Sequence, residues 1–290
     1  VTMPLGVTAV MLPDLDFSQQ IALCQDVDIT HYSIRPRVIA DDQRDQPWGF
    51  WGNHKFDLTP RRLVEQARQI TRQLADAGMV PFGTNPATNI DASDDELKLH
   101  LEGAAAVRAG RVRVATAPYP QGPFEYSSLL DQVVDRYRQI VAMAQPMGLK
   151  IVIETHHGSL ASGPGVAMNI CRHFDPSQLG VIFDMPNFAI EGNLAPHLAI
   201  AVLGNYIDHC HVGGARRTSG QSDGQGFRKA SHEMCSLTQS DLHIPTWIGA
   251  LHKANKHVPL VIEDFTAART SEDNLKHSAE QLRKILDSLP

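Results

Sequence analysis

The feature of this 290-residue chain that most limits its fold is a repeat of short apolar runs, each followed by a stretch with helical spacing. The runs fall near residues 5 to 11, 28 to 34, 79 to 84, 111 to 116, 150 to 154, 179 to 184, 205 to 211 and 259 to 264. Runs this short and this apolar read as strands buried on both faces, the usual state of a parallel sheet. The clearest helix covers 59 to 77. Thr59 is placed to cap it, Pro60 suits its first turn, and Leu63, Ala67, Ile70, Leu74 and Ala77 recur at spacings of three and four before Gly78 stops it. Another covers 94 to 109, with Ser93 and Glu96 spaced as a capping box and Gly110 as its end signal. A third, 127 to 147, carries Leu130, Val133, Val134, Tyr137, Ile140, Val141 and Ala144 on one face and ends at Gly148. Eight strands alternating with helices predict an α/β fold, a closed (β/α)8 barrel of the TIM type, as a single domain over 1–290. The rival, an open doubly wound sheet, lacks support: no GxGxxG follows the first strand and no GxxxxGK[ST] occurs.

Composition narrows the function. A chain that is 42% hydrophobic and 20% charged can bury a large core. Its formal net charge of -6 and the absence of a long basic run argue against a nucleic-acid-binding face, so small molecules are the expected partners. Cys24, Cys171, Cys210 and Cys235 are widely separated, without CxxC or zinc-finger spacing, and read as free buried thiols. The opening VTMPLGVTAVML is apolar but lacks a basic leader and a cleavage site, and no stretch is long enough to span a bilayer. A cytoplasmic protein with no membrane partner is expected.

Four of the runs end on residues that bind metals. KIVIE closes on Glu154, LGVIFD on Asp184, YIDHCH on His211, and PLVIED carries Glu263. In a parallel barrel the last inward side chains of neighbouring strands converge at the C-terminal face, where active sites form. Side chains alternate along a strand, so Val152 and Glu154 share a face, as do Ile182 and Asp184, and His209 and His211. One acidic residue ending a strand is as easily a helix cap or a surface charge. Three carboxylates aimed at one small volume repel one another unless a cation neutralises them, so the joint pattern predicts a divalent metal. The oxygen-rich set favours manganese, with magnesium, cobalt or zinc as alternatives. His209, one layer deeper, is either a group that supports the metal ligands or a packed core histidine, the second being favoured. His156 is placed to reach substrate, while His157 is expected to point away.

The segments IVIETHHG, GVIFDMPN, DHCHVGGARR and LVIEDF resemble the xylose isomerase-like TIM-barrel superfamily of sugar isomerases and epimerases, which also contains endonuclease IV. The resemblance implies that Glu154, Asp184, His211 and Glu263 bind the metal. It also matches Arg217, six residues after the metal histidine, to an arginine of the ketose 3-epimerase branch. Asn187 and Leu160 stand where that branch has histidine and glutamate. The activity implied is proton transfer through an enediolate, with Glu154 and Glu263 as the acid/base pair on a ketose or aldose. The alternative is a lyase that dehydrates a keto-inositol or dehydroshikimate-like substrate. A nuclease like endonuclease IV is the weaker alternative, because FGTNP and ATAPYP bring no further histidine.

Two long loops are candidates for choosing the substrate. Residues 35 to 58 include Arg35, Arg37, Trp48, Phe50, Trp51, Asn53 and His54, either a surface for stacking on a sugar or an aromatic plug over the barrel mouth. Residues 212 to 244 carry Arg217, near enough to the metal histidine to bind a hydroxyl, carboxylate or phosphate, and Lys229. The glycine- and serine-rich stretch 219 to 226 reads as a mobile lid or an oligomer contact. A homodimer or homotetramer is expected, as is common for barrels of this family.

Overall fold

The computed structural model describes residues 3–192 and 195–290. Its strands are β1 (Leu5–Thr8), β2 (His31–Ile34), β3 (Val80–Thr84), β4 (Arg111–Arg113), β5 (Lys150–Glu154), β6 (Leu179–Asp184), β7 (Ile207–Val212), β8 (Gly214–Ser222), β9 (Arg228–Cys235) and β10 (Leu260–Ile262). Eight of them, all but β8 and β9, pair in parallel, and β1 bonds to both β2 and β10, which closes the cylinder. The helices α1 (Phe17–Asp26), α2 (Pro60–Asp76), α3 (Asp94–Ala106), α4 (Tyr126–Ala144), α5 (Pro164–Cys171), α6 (Met185–Glu191), α7 (Pro196–Leu203), α8 (Ile244–Lys253) and α9 (Ser271–Asp287) occupy the intervals. The expected closed (β/α)8 barrel is therefore the observed architecture.

The core lies between strands and helices. Outward residues such as Tyr32, Ile151, Ile153, Phe183 and Cys210 are fully buried, as are Leu63, Leu74, Leu101, Tyr137 and Trp247 of the helices. All four cysteines are free and buried. Most boundaries fall where the local chemistry put them. Thr59 caps α2 by accepting from the Arg62 amide, and α4 gives way to a short 3-10 turn that ends on the left-handed Gly148.

Other local expectations need correction. The run 5 to 11 is strand only to Thr8, because Ala9–Met11 coil into a 3-10 turn. Ser93 caps α3, but the reciprocal half of its box is missing: Glu96 Oε1 accepts from Thr88 Oγ1 at 3.0 Å instead. A complete capping box forms at an unforeseen place, between Asp16 and Gln19 on α1. The 219 to 226 stretch is the turn region of a hairpin, since β8 and β9 pair antiparallel from Gly214 with Cys235 to Ser222 with Arg228.

Charge fills the lower interior of the barrel. The register of β6 on β7 shifts between Val181 and Ile182, which takes Asp208 out of the simple alternation. Its carboxylate lies 2.8 Å from Arg111 Nε, 2.8 Å from Lys150 Nζ and 2.8 Å from His209 Nδ1. Gly180 makes this possible, because a Cβ there would sit 2.6 Å from Lys150 Cε. His209 is buried here, with its ring 5.3 Å from that of His211. Burial outweighs its bond to Asp208 and takes it down to about 4, so it stays neutral and meets the Phe82 ring edge-on at 5.0 Å.

Burial alone would raise the Asp208 carboxyl, but His209, Arg111 and Lys150 overcome it and hold the group well below the carboxylate range. A depressed pKa stabilises the fold above the unfolded value of roughly 4, and that contribution is lost as pH falls through the folded value. Asp208→Asn leaves two cations without their partner and is expected to cost about 3 kcal/mol at neutral pH. The deficit should shrink as pH drops below 4. Urea midpoints at pH 7 and pH 3 check both parts.

Candidate metal centre and active-site cavity

Four consecutive positions around the cylinder, β5, β6, β7 and β10, deliver Glu154, Asp184, His211 and Glu263 to one point. Register places Asp184 opposite His211, and His211 opposite Val261, two residues before Glu263. One ligand atom from each of the four lies within 4.8 Å of all the others, and all four side chains are buried. His211 Nδ1 stands 2.8 Å from Glu154 Oε1, 3.3 Å from Asp184 Oδ2 and 3.1 Å from Glu263 Oε2.

A ring N–H can serve one acceptor well, whereas here three carboxylates face the same nitrogen. Ligands bound about 2.1 Å from a common ion would stand at similar separations. Electrostatics agrees. Burial opposes charge on His211, yet Glu263, Asp184 and Glu154 together hold its proton far above the usual histidine range. Asp184 is pushed up to about 6, by burial first and by Glu154 and Glu263 after it. Burial also disfavours the Glu154 anion, but the Arg113 guanidinium and His211 hold that carboxyl well below its usual range. The cluster could hold a metal ion, and its donor set fits a divalent one.

The supports of these four residues are local. Asp184 caps α6 by accepting from the Asn187 amide at 2.7 Å, while its own amide donates to Thr155 Oγ1 at 3.1 Å. Asn85 Nδ2 approaches Glu263 Oε1 at 3.5 Å. After β7 the chain passes hard against the backbone of Glu263, and a Cβ at Gly213 would overlap that carbonyl. A Cβ at Gly214 would meet the Ser236 carbonyl in the same way, so the Gly-Gly pair that follows Val212 leaves no room for a side chain.

Above the cluster lies a cavity of about 410 Å³. Of the residues singled out in the sequence, Glu154, Asp184, Glu263, His156, Asn187 and Trp51 line it. His157 also lines it, contrary to expectation. Its ring stacks on His156 at 4.5 Å, and Asn187 Oδ1 accepts from its amide at 3.0 Å.

Four other candidates stand elsewhere. Arg217 is exposed on β8 with its guanidinium against Gly192, and Lys229 is exposed on β9. Trp48 is half exposed in its loop, and His54 is buried with Nε2 3.1 Å from the Phe50 carbonyl oxygen. None of these four lines the cavity. The loop 35 to 58 thus divides: Arg35 and Trp51 line the cavity, Trp51 packing on Phe265 at 4.8 Å, while Arg37, Asn53 and His54 bond within the loop.

Two further residues line the cavity: Arg113, to which the sequence assigned no role, and Arg35, named there only as part of the loop 35 to 58. Arg113 of β4 places Nη2 2.5 Å from Glu154 Oε2, with a side chain only 13% exposed. Arg35, just past β2, lines the wall with its Cζ 5.7 Å from the Trp51 ring centroid. A readable signal existed for Arg113: in RVRV an inward charge interrupts a barrel strand.

A family model described as "Xylose isomerase-like TIM barrel" matches residues 46–285. The chain belongs to the xylose isomerase-like TIM-barrel family. Solved structures with the same fold include the IOLI protein with a binding zinc atom, 15% identical over 99% of each chain with a TM-score of 0.73. The probable 3-DHS dehydratase AsbF, involved in petrobactin synthesis in Bacillus anthracis, is 13% identical over 97% of this chain and 99% of its own, TM-score 0.71. A D-allulose 3-epimerase from Methylomonas sp. is 13% identical over 98% of each chain, TM-score 0.69. At such identities the likeness is one of fold. A search of curated protein sequences finds no match. No helix among the described residues of this xylose isomerase-like barrel is long and apolar enough to cross a membrane.

A bound ion stabilises the folded state by mass action, about 2.7 kcal/mol at a hundred times its Kd. Adding manganese to chelator-treated protein at that excess is expected to raise Tm by about 4–5 °C. Differential scanning calorimetry with and without the metal checks this.

Proposed function

We propose that this barrel is a divalent-metal-dependent isomerase or epimerase of sugars or sugar-like hydroxy-ketones. The reading is carried by one observation: three buried carboxylates and one imidazole converge at the floor of a cavity of about 410 Å³. Glu154, Asp184, His211 and Glu263 would hold the ion, manganese being our choice for so oxygen-rich a set, and it would supply Lewis-acid polarisation to two adjacent substrate oxygens.

The acid/base work falls to the two glutamates. Glu154 and Glu263 come from the outer strands of the four-strand arc, so they flank whatever rests on it. One carboxylate takes the proton beside the carbonyl and leaves an enediolate in the substrate. Return of a proton to the opposite face by the other gives epimerisation, and return to the neighbouring carbon gives aldose–ketose isomerisation. Arg113 holds Glu154 in place and anionic. His156, His157 and Asn187 offer hydrogen bonds to hydroxyl groups along one wall, and Trp51 with Phe265 offers an apolar face.

A second reading has its own support. The same proton abstraction, followed by loss of a β-hydroxyl, would make the protein a dehydratase, and the cation of Arg35 in the wall suits the acidic substrates of such a reaction. Incubation of the manganese-loaded protein in D2O with a panel of ketoses and keto-acids, followed by NMR, separates the two. Deuterium incorporation with a new stereocentre or carbonyl position supports isomerisation or epimerisation, and an unsaturated product supports dehydration. Absence of both across the panel defeats the proposal.

A further inference from the structure

The cations around the cavity differ in how their donors are spent. Arg113 is paired with Glu154, and deeper in the barrel Arg111 and Lys150 are paired with Asp208. Arg37 gives Nη1 to the Trp51 carbonyl at 3.2 Å and Nη2 to the Gly52 carbonyl. Neither Arg37 nor Arg35 has a carboxylate within ion-pairing distance among the described residues, but Arg37 spends its donors on those two carbonyls and stands outside the cavity lining, whereas Arg35 lines it. Its one hydrogen bond there is a long one, Nη1 to the Asn85 carbonyl at 3.4 Å, and its Nε is buried without a partner. That nitrogen has lost water and gained no acceptor, which is costly unless a ligand completes the guanidinium.

Its surroundings hold it still. Trp51 lies 5.7 Å from Cζ and is itself braced by Phe265, while the Arg37 bonds fix the Trp51 segment. The Asn85 that anchors Arg35 through its backbone also reaches Glu263 through its side chain. Arg35 therefore serves the Glu263 side of the cavity, as Arg113 serves the Glu154 side.

Charge counting points the same way. With a divalent ion bound and His211 neutral as its ligand, the three carboxylates are offset by the ion and Arg113. Arg35 is then the one positive charge in the lining left without compensation. We infer that Arg35 is a specificity-determining residue that binds a carboxylate of the substrate, so that the substrate is a monoanionic sugar acid or polyhydroxy keto-acid rather than a neutral sugar. This rests on the metal-dependent reading above and narrows it. A guanidinium is suited to paired hydrogen bonds with a carboxylate, and a single added negative charge balances the cavity.

The test is binding, read by calorimetry and by Trp51 fluorescence on manganese-loaded protein. The probes are four- to six-carbon aldonates, their matching alditols, and the phosphate esters of those alditols. Wild type is expected to bind its best aldonate about 30-fold more tightly than the matching alditol, a ratio typical of one charge-assisted contact. The preference should vanish in Arg35→Gln and return in part in Arg35→Lys, with manganese content equal to wild type showing that the variants are folded and loaded. The inference is overturned if no aldonate outbinds its alditol, if the preference survives in Arg35→Gln, or if the phosphate esters outbind the aldonates. Failure of the underlying reading looks different. Absence of bound manganese, or of deuterium exchange on every ketose and keto-acid, removes the metal chemistry while an Arg35-dependent aldonate preference still stands.

Discussion

Asp184→Asn is expected to lower manganese affinity by more than about 100-fold while leaving the fold intact. Outer-shell partners of metal ligands are worth roughly 10–100-fold, and a ligand carboxylate must exceed them. Asparagine is the choice because Asp184 has two duties. It faces His211 with Oδ2 and caps α6 with Oδ1, and an asparagine amide oxygen caps as well as a carboxylate does. The substitution thus removes the charge and keeps the helix start. Without metal the variant should be no less stable than wild type, since it relieves repulsion among the buried carboxylates. Calorimetric titration with manganese, paired with thermal unfolding in chelator, measures both effects. Unchanged affinity would remove Asp184 from the metal centre.

Glu154→Gln and Glu263→Gln should each slow solvent deuterium exchange at the reacting carbon by about a thousandfold or more, since general acid–base catalysis alone is worth roughly 10²–10⁴. The two variants need not look alike. Glu154 is gripped by Arg113, so its loss strands a buried guanidinium as well as a base, whereas Glu263 has only the long contact from Asn85 beside its bond to His211. Greater loss of stability is therefore expected in Glu154→Gln. Single-turnover exchange measured by NMR at saturating manganese separates the chemical loss from weakened metal binding. Exchange at the wild-type rate in both variants would reject the acid/base pair.

The parts of this account that were legible in the sequence share a cause. Strand parity, strand ends and helix caps are local properties, so Glu154, Asp184, His211 and Glu263 were readable as inward residues at the mouth of the barrel, and Thr59 and Gly148 as helix ends. What was not legible depends on how loops travel. Arg217 and Trp48 carry the right chemistry, but the hairpin places Arg217 against Gly192 and the loop holds Trp48 outside the cavity. The hairpin itself was hidden because β8 and β9 are mostly exposed, so GARRTSGQS shows no apolar alternation. His157 was misread because strand parity stops with the strand: β5 ends at Glu154, and the turn after it brings His156 and His157 to the cavity together. Arg113 followed the parity rule, and its importance became clear only with Glu154 2.5 Å away.

Anomalous diffraction at the manganese edge, from crystals grown with the metal, tests the central claim most directly. A single strong peak is expected at bonding distance, about 2.0–2.3 Å, from Glu154, Asp184, His211 Nδ1 and Glu263. A map at saturating manganese with no peak between these four side chains, or with its peak elsewhere in the protein, would contradict it.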